Sequence, residues 1–238
     1  MRLKRLAAPK SYIIPRKGEK FVPSLRPGPH PKDESVPLLI IIRDYLKYAS
    51  TALEAEKIIK MKKVLVDWRE VTEPRFPVGL MDVISLPETN EHYRMIPIYK
   101  RGLSLVAIDE EEASFKLGMI IRKTMVDGGA IQFTLHDGRN LLFKNPPIDV
   151  KTIPVGDTFK ISLPKQELMS HLELKEGNYG LIVAGSRSGI HGKIIKIDRT
   201  PKYPAKPLIQ IESSIGTVST ILSYVMVVGE NEPWLKLS

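Results

Sequence analysis

Between residues 37 and 86 the apolar positions change period once. Leu38, Ile41, Ile42, Tyr45, Leu46 and Ala49 recur at helical spacing with Arg43, Asp44 and Lys47 opposite them. This predicts an amphipathic helix with Pro37 at its first position, where a missing N–H costs nothing. A second helix opens at once: Thr51 followed by Glu54 is a capping box, in which each side chain satisfies a free backbone N–H. Ala55, Ile58 and Ile59 face inward, and Glu56, Lys57 and Lys60 outward. The helix ends at Lys60-Met61-Lys62-Lys63, cations at the negative end of the helix dipole. After the lysines the period drops to two, and residues 64–67 and 78–86 read as strands. The predicted unit is a tight helix pair and a small sheet, with cations held in register along one helical edge.

Beyond residue 94 the chain reads mostly as strands. Asp127-Gly128-Gly129 and Asp137-Gly138 are hairpin signals on either side of the alternating Ile131-Gln132-Phe133-Thr134-Leu135. Residues 110–117 predict a short helix with Asp109 near its start. Its three adjacent glutamates point in different directions, as a solvated helix start does and a metal site does not. Pro146-Pro147 and Pro164 divide the rest into short pieces. From about residue 174, strands at 181–184, 190–197, 208–212, 217–220 and 225–228 predict a last small β-barrel, with Gly185-Ser186-Arg187-Ser188-Gly189 as a turn.

Residues 1–36 differ from both regions. Nine cations against three carboxylates leave a net +6 there, two-thirds of the whole chain's +9. Pro9, Pro15, Pro23, Pro27, Pro29 and Pro31 deny the segment a continuous helix. The expectation is an extended basic arm that becomes ordered only on RNA, with Tyr12, Ile13 and Phe21 packing or stacking there, so that a chain beginning near Val36 would keep its cooperative unfolding.

Composition narrows the class of function. At 238 residues, 42% of them hydrophobic, the chain can bury a core, and its pI of about 9.5 favours a polyanionic partner: nucleic acid first, an acidic membrane surface second. With no cysteine, disulfides, zinc fingers and thiol catalysis are excluded, which suits a cytosolic protein. No apolar run reaches the length of a membrane span, and Pro9, Lys10 and Pro15 interrupt any secretory signal. Gly185, Gly189 and Gly192 have turn spacing rather than nucleotide-loop spacing, no G-x-S-x-G elbow occurs, and the five histidines are scattered. No catalytic residue, metal ligand or cofactor is expected.

The helix pair ending in lysines, with its hairpin, resembles the alpha-L RNA-binding module. More narrowly, Leu3-Lys4-Arg5-Leu6-Ala7-Ala8-Pro9-Lys10, Leu46-Lys47-Tyr48-Ala49 and Met81-Asp82-Val83-Ile84-Ser85 occur in the order found in the S-four-e family of archaeal and eukaryotic small-ribosomal-subunit proteins. Arg26-Pro27-Gly28-Pro29-His30-Pro31 resembles that family's proline-rich entry to the module, and Asn231-Glu232-Pro233-Trp234-Leu235 its carboxyl end. The stretch from Glu176 to Ile197 resembles a KOW motif. Tyr12 stands where the family more often has tryptophan. Asp67-Trp68-Arg69 replaces an Asp-Gly turn, so Trp68 either packs on its own hairpin or offers a stacking face. The chain stops where eukaryotic members continue, which favours the archaeal form.

The resemblance implies a strand-rich α+β fold in four parts: a basic N-terminal arm (1–36), the alpha-L module (37–95), a central β-rich domain (96–172), and a KOW, SH3-like barrel with a tail (173–238). It also implies a non-enzymatic constituent of the small ribosomal subunit that binds ribosomal RNA in the cytoplasm beside neighbouring ribosomal proteins, with no membrane and no small-molecule substrate. The competing functions are an RNA-modifying enzyme carrying an alpha-L module, which would need a catalytic domain after residue 95, and a KOW-type transcription factor, which would not explain the first half. The expected RNA-binding residues are Arg2, Lys4, Arg5, Lys10, Arg16 and Lys17 in the arm, Arg43, Lys47, Tyr48, Lys60, Lys62 and Lys63 in the module, and Arg187, His191 and Lys193 in the KOW unit.

Overall fold

The computed structural model describes residues 3–144, 148–200 and 204–237. They form two compact units, one of residues up to 116 with 163–166, the other of 117–162 with 167–237. The fold is strand-rich α+β. Arg2 and the Pro146-Pro147 pair lie outside the described residues.

The first unit is built on the helix pair. The capping box forms as expected: Glu54 N–H donates to Thr51 Oγ1 at 3.2 Å, and the Glu54 carboxylate accepts from Ser50 N–H at 2.9 Å and Thr51 N–H at 3.2 Å. The helix it opens is Ala52–Lys60, with Ala55 and Ile59 buried. The preceding helix is shorter than expected. Only Leu38–Ile40 is α-helical, with Pro37 as its cap; Ile41–Tyr45 widens into a π turn, where Leu46 N–H reaches back to Ile41 O at 2.9 Å. The five residues Leu38 to Ile42 are all buried. The segment therefore sits inside the core on every side, which a one-face reading of its apolar positions does not capture.

The sheet of this unit has the order Arg69–Glu70, Leu65–Val66, Val83–Leu86, Glu91–Ile98, Gly102–Ile108, each neighbour antiparallel. The single strand expected over 78–86 is two. Pro77–Gly79 pairs with Ser35–Pro37, and Val83–Leu86 joins the sheet. Between them Met81 is left-handed at φ +64° and the Asp82 carboxylate accepts from Gly79 N–H at 2.8 Å, so a side chain takes over the ladder's bond and the chain turns. The Asp67-Trp68 turn is left-handed at both residues, φ +51° and +62°, the geometry of a two-residue hairpin loop. Tryptophan holds it because its ring is packed: Trp68 Nε1–H donates to Ala113 O at 2.9 Å, and the ring lies 5.5 Å from that of His92.

The amino-terminal segment departs from the loose arm expected of it. Leu3–Lys4 pairs with Phe21–Val22, and Tyr12, Ile14, Val22 and Leu25 are buried in the same core as the helix pair. Ile13 N–H donates to the Tyr45 hydroxyl at 2.9 Å, and Arg26 N–H to Arg75 O at 3.0 Å. Prolines deny the segment a continuous helix, but they do not prevent a short strand pair or burial of the apolar residues between the charges.

A buried ionic cluster joins this segment to the hairpins. Lys116 Nζ lies 2.5 Å from Asp82 and 3.0 Å from Asp67, and His30 Nε2 is 3.0 Å from Asp82; the side chains of all four are at most 6% exposed. Gly79 is required beside it, because a Cβ there would stand 2.3 Å from the His30 ring. Arg94, fully buried, donates to the carbonyls of Glu112 at 2.7 Å and Phe115 at 3.1 Å.

The second unit contains two antiparallel sheets of five strands. One has the order Asn140–Phe143, Ala130–Leu135, Phe115–Val126, Thr158–Ser162, Leu168–Leu172, its central strand having its first two residues in the first unit. Phe133 and Phe159 meet edge to face at 5.3 Å in its core. The other has the order Gly216–Ile221, Leu208–Ser213, His191–Asp198, Tyr179–Ile182, Val225–Gly229. Gly192 lies in a strand, where a Cβ would stand 1.9 Å from Glu212 O. This close approach of two backbones, rather than any nucleotide, accounts for the third glycine of its run.

Candidate nucleic-acid interface

The candidate surface extends outward from the capped helix. Its dipole and its packed inner face fix where its last turn points, and the lysines follow directly. Lys60 Nζ pairs with Glu56 at 2.7 Å one turn back, Lys62 with Glu70 on the hairpin at 2.6 Å, and Lys63 with Glu88 at 3.1 Å. All three lysine side chains are between 41% and 61% exposed. Exposed pairs of this kind contribute about 0–1 kcal/mol, so a phosphate can displace the carboxylate at little cost.

The end of the preceding helical turn adds two more of the expected residues. Lys47 is exposed and left-handed at φ +59°, which ends the turn. Tyr48 is exposed, and its hydroxyl donates to the Glu91 carboxylate, which also accepts from the Tyr93 hydroxyl at 3.0 Å. These bonds hold the Glu91 carboxyl below its ordinary range, and the same bond pushes the Tyr48 hydroxyl up. Tyr93 is pushed up to about 12 by burial and then by Glu91. Arg43 lies half-buried against Asp44, its Nη2–H donating to that carboxylate at 2.8 Å.

In the amino-terminal segment the cations divide into two groups. Lys4, Lys10 and Lys17 are exposed. Arg5 donates to Glu19 O and Pro15 O, each at 2.9 Å, and Arg16 to Ala8 O at 2.7 Å and Pro9 O at 3.0 Å. The two arginines thus hold the segment's own turns closed. In the second unit Lys193 is exposed, Arg187 donates to Ser219 O, and His191 Nδ1 lies 2.9 Å from the Tyr179 hydroxyl, with burial lowering the imidazole pKa.

Sequence reasoning missed the carboxylates that face these cations. Glu70 and Glu88 lie 8 and 25 residues from Lys62 and Lys63, and Glu91 lies 43 residues from the Tyr48 hydroxyl it accepts from, so only the folded chain brings them close. It also missed the cluster of His30, Asp67, Asp82 and Lys116, for the same reason. Glu56, by contrast, is four residues from Lys60 and was legible as a helical pair. Among the described residues no group of three or more His, Asp or Glu could hold a metal ion, and no helix is long and apolar enough to cross a membrane.

Three family models match successive parts of the chain: the RS4NT (NUC023) domain over residues 1–33, the S4 domain over 36–84, and ribosomal family S4e over 89–168. The chain is 45% identical to the small ribosomal subunit protein eS4 of Methanocaldococcus jannaschii, over 99% of this chain and 96% of that one. It is 43% identical to the eS4 of Staphylothermus marinus, over 99% and 94%. Among solved structures it resembles the 30S ribosomal protein S4e of Thermoplasma acidophilum, with a TM-score of 0.71 at 36% identity, over 84% of this chain and 97% of that one.

Proposed function

This chain belongs to the ribosomal S4e family, and from that premise we propose how it works: it is a structural constituent of the small ribosomal subunit that binds ribosomal RNA and supports translation. The observation that carries this reading is the row of solvent-accessible lysines at the end of the capped helix, Lys60 and Lys62 exposed and Lys63 half-buried, held by weak pairs on an S4 domain. A packed scaffold aims those ammonium groups outward, and backbone phosphates replace the carboxylates. Lys47 and Tyr48 extend the surface, and the exposed Lys4, Lys10 and Lys17 of the amino-terminal segment add further phosphate contacts. Residues 173–238 act as a KOW-type barrel, presenting Arg187, His191 and Lys193 to the same RNA. Neighbouring ribosomal proteins complete the surroundings, in the cytoplasm, and the chain carries out no catalysis. An RNA-modifying enzyme or a transcription factor is not favoured, since the eS4 relatives match the chain over 99% of its length.

The test is binding of the full chain to small-subunit ribosomal RNA, together with sedimentation of cell extract in moderate salt. Co-migration with the small subunit at unit stoichiometry and RNA binding that weakens with salt are expected. A chain that stays at the top of the gradient and ignores the RNA would overturn the reading.

A further inference from the structure

A cleft of about 210 Å³ opens on the first unit beside the capped helix. Its walls are aliphatic: Ile42 and Leu86 are buried, and Ile58 is half-buried. One aromatic ring lines it, that of Tyr48, which is 42% exposed and is held by the bond from its hydroxyl to Glu91. Polar groups of both signs complete the lining, the Lys63 ammonium and the Glu88 carboxylate 3.1 Å apart, with Thr89 next to Glu88.

We infer that this cleft receives a single unstacked nucleobase, guanine foremost, from a loop or bulge of the RNA bound by the lysines around it. The inference rests on the RNA-binding reading above and adds a base-reading site to it. Size is the first argument. Pockets for drug-sized ligands run to roughly 300–1,000 Å³, so this one suits one ring system and not a larger cofactor. Charge is the second. The Lys63 ammonium and the Glu88 carboxylate in the lining offset one another, so the cleft suits something neutral and flat, while phosphates gather on Lys60 and Lys62 beside it. Chemistry is the third. Proteins that read RNA by sequence take unstacked bases onto aromatic faces and bond their edges. Here Tyr48 offers an aromatic ring whose hydroxyl is anchored, in a cleft that Ile42, Ile58 and Leu86 also line. An ionised carboxylate only accepts hydrogen bonds, so Glu88 favours an edge that presents donors side by side. The imino and amino groups of guanine do so; the exocyclic amine of cytosine does so less fully, and uracil presents a lone imino donor.

The experiment uses the full-length chain with isoleucine and leucine methyl groups labelled with ¹³C. It is titrated with the four ribonucleoside 5′-monophosphates, while filter binding follows small-subunit ribosomal RNA. The methyl signals of Ile42, Ile58 and Leu86 are expected to shift most with guanosine monophosphate and least with uridine monophosphate, while those of Ile209 and Ile211 in the second unit stay still. Tyr48→Ala should weaken binding of the ribosomal RNA by roughly 5- to 150-fold, the range for one base–aromatic stack; Tyr48→Phe, which keeps the ring, should lose little. Glu88→Ala should even out the responses to the four nucleotides. If the RNA binds tightly, the cleft methyls answer to no nucleotide and Tyr48→Ala binds like the parent, the cleft is not a base pocket and the RNA-binding reading stands. An equal response to all four nucleotides in the parent overturns the assignment to guanine. If the parent chain does not bind the ribosomal RNA at all, the reading beneath this inference fails with it.

Discussion

At the scale of single residues, the buried cluster around Asp82 ties stability to pH. Burial alone would raise the Asp82 carboxyl, but the charges of Lys116 and then His30, with their hydrogen bonds, outweigh it and hold the carboxyl well below its ordinary value. Its proton is therefore bound more weakly in the folded chain than in the unfolded one. The stability it contributes is complete above the ordinary aspartate pKa of about 4 and is lost as pH falls through the folded value. Asp82→Asn should accordingly remove part of the acid dependence of stability, read as a flatter plot of urea midpoint against pH below about 4. Lys116→Met leaves two buried carboxylates without their ammonium, and removing one partner of such a pair costs about 3–5 kcal/mol. Equilibrium urea unfolding measures that loss; a change under about 1 kcal/mol would show that water already solvates Asp67 and Asp82.

At the scale of elements, the capped helix carries two separable properties. Thr51→Ala removes the acceptor for Glu54 N–H and should cost about 0.5–2 kcal/mol, read as a lower thermal midpoint. The lysines behave differently. Lys60 and Lys62 are exposed, Lys63 is half-buried and all three are weakly paired, so replacing them by glutamine should leave the thermal midpoint nearly unchanged, at less than about 0.5 kcal/mol each, while RNA affinity falls. Replacing Glu56 and Glu70 by glutamine should do the reverse and raise RNA affinity, because phosphates then meet lysines that have no competitor. If the lysine variant melts early and binds normally per folded molecule, those side chains serve the fold alone.

At the scale of the whole molecule, the net charge of +9 sets the salt response and the amino-terminal segment sets part of the stability. Log affinity for RNA should fall linearly with log salt, at roughly 0.7–0.9 per neutralised phosphate, and a flat response between about 50 and 300 mM, where the Debye length shortens about 2.4-fold, would contradict phosphate-led binding. A chain beginning at residue 35 loses Tyr12, Ile14, Val22 and Leu25 from the first core and uncovers the surface they fill. It should unfold at a lower temperature and less cooperatively than the full chain, in addition to showing a shallower salt slope. Differential scanning calorimetry decides the point: an unchanged midpoint and enthalpy would mean that the segment, although packed, adds nothing to the core.

The limits of the sequence reading follow from the range of the interactions concerned. Local ones were legible. The capping box, the run of lysines on its helix, the glycine turns at 127–129 and 137–138 and the five late strands depend on residues a few positions apart, and their spacing alone specified them. The family was legible because several short motifs kept their order. What the sequence could not supply were partners chosen by the fold. The Ile41–Tyr45 π turn follows a run, Leu38 to Ile42, that is buried on every side, Asp67 and Asp82 meet over one lysine although 15 residues apart, and the order of residues 3–25 comes from a core that the helix pair provides. Charge and proline content read one residue at a time argue for a loose arm; apolar area becomes favourable to bury only where a second surface meets it, and tertiary structure alone supplies that surface.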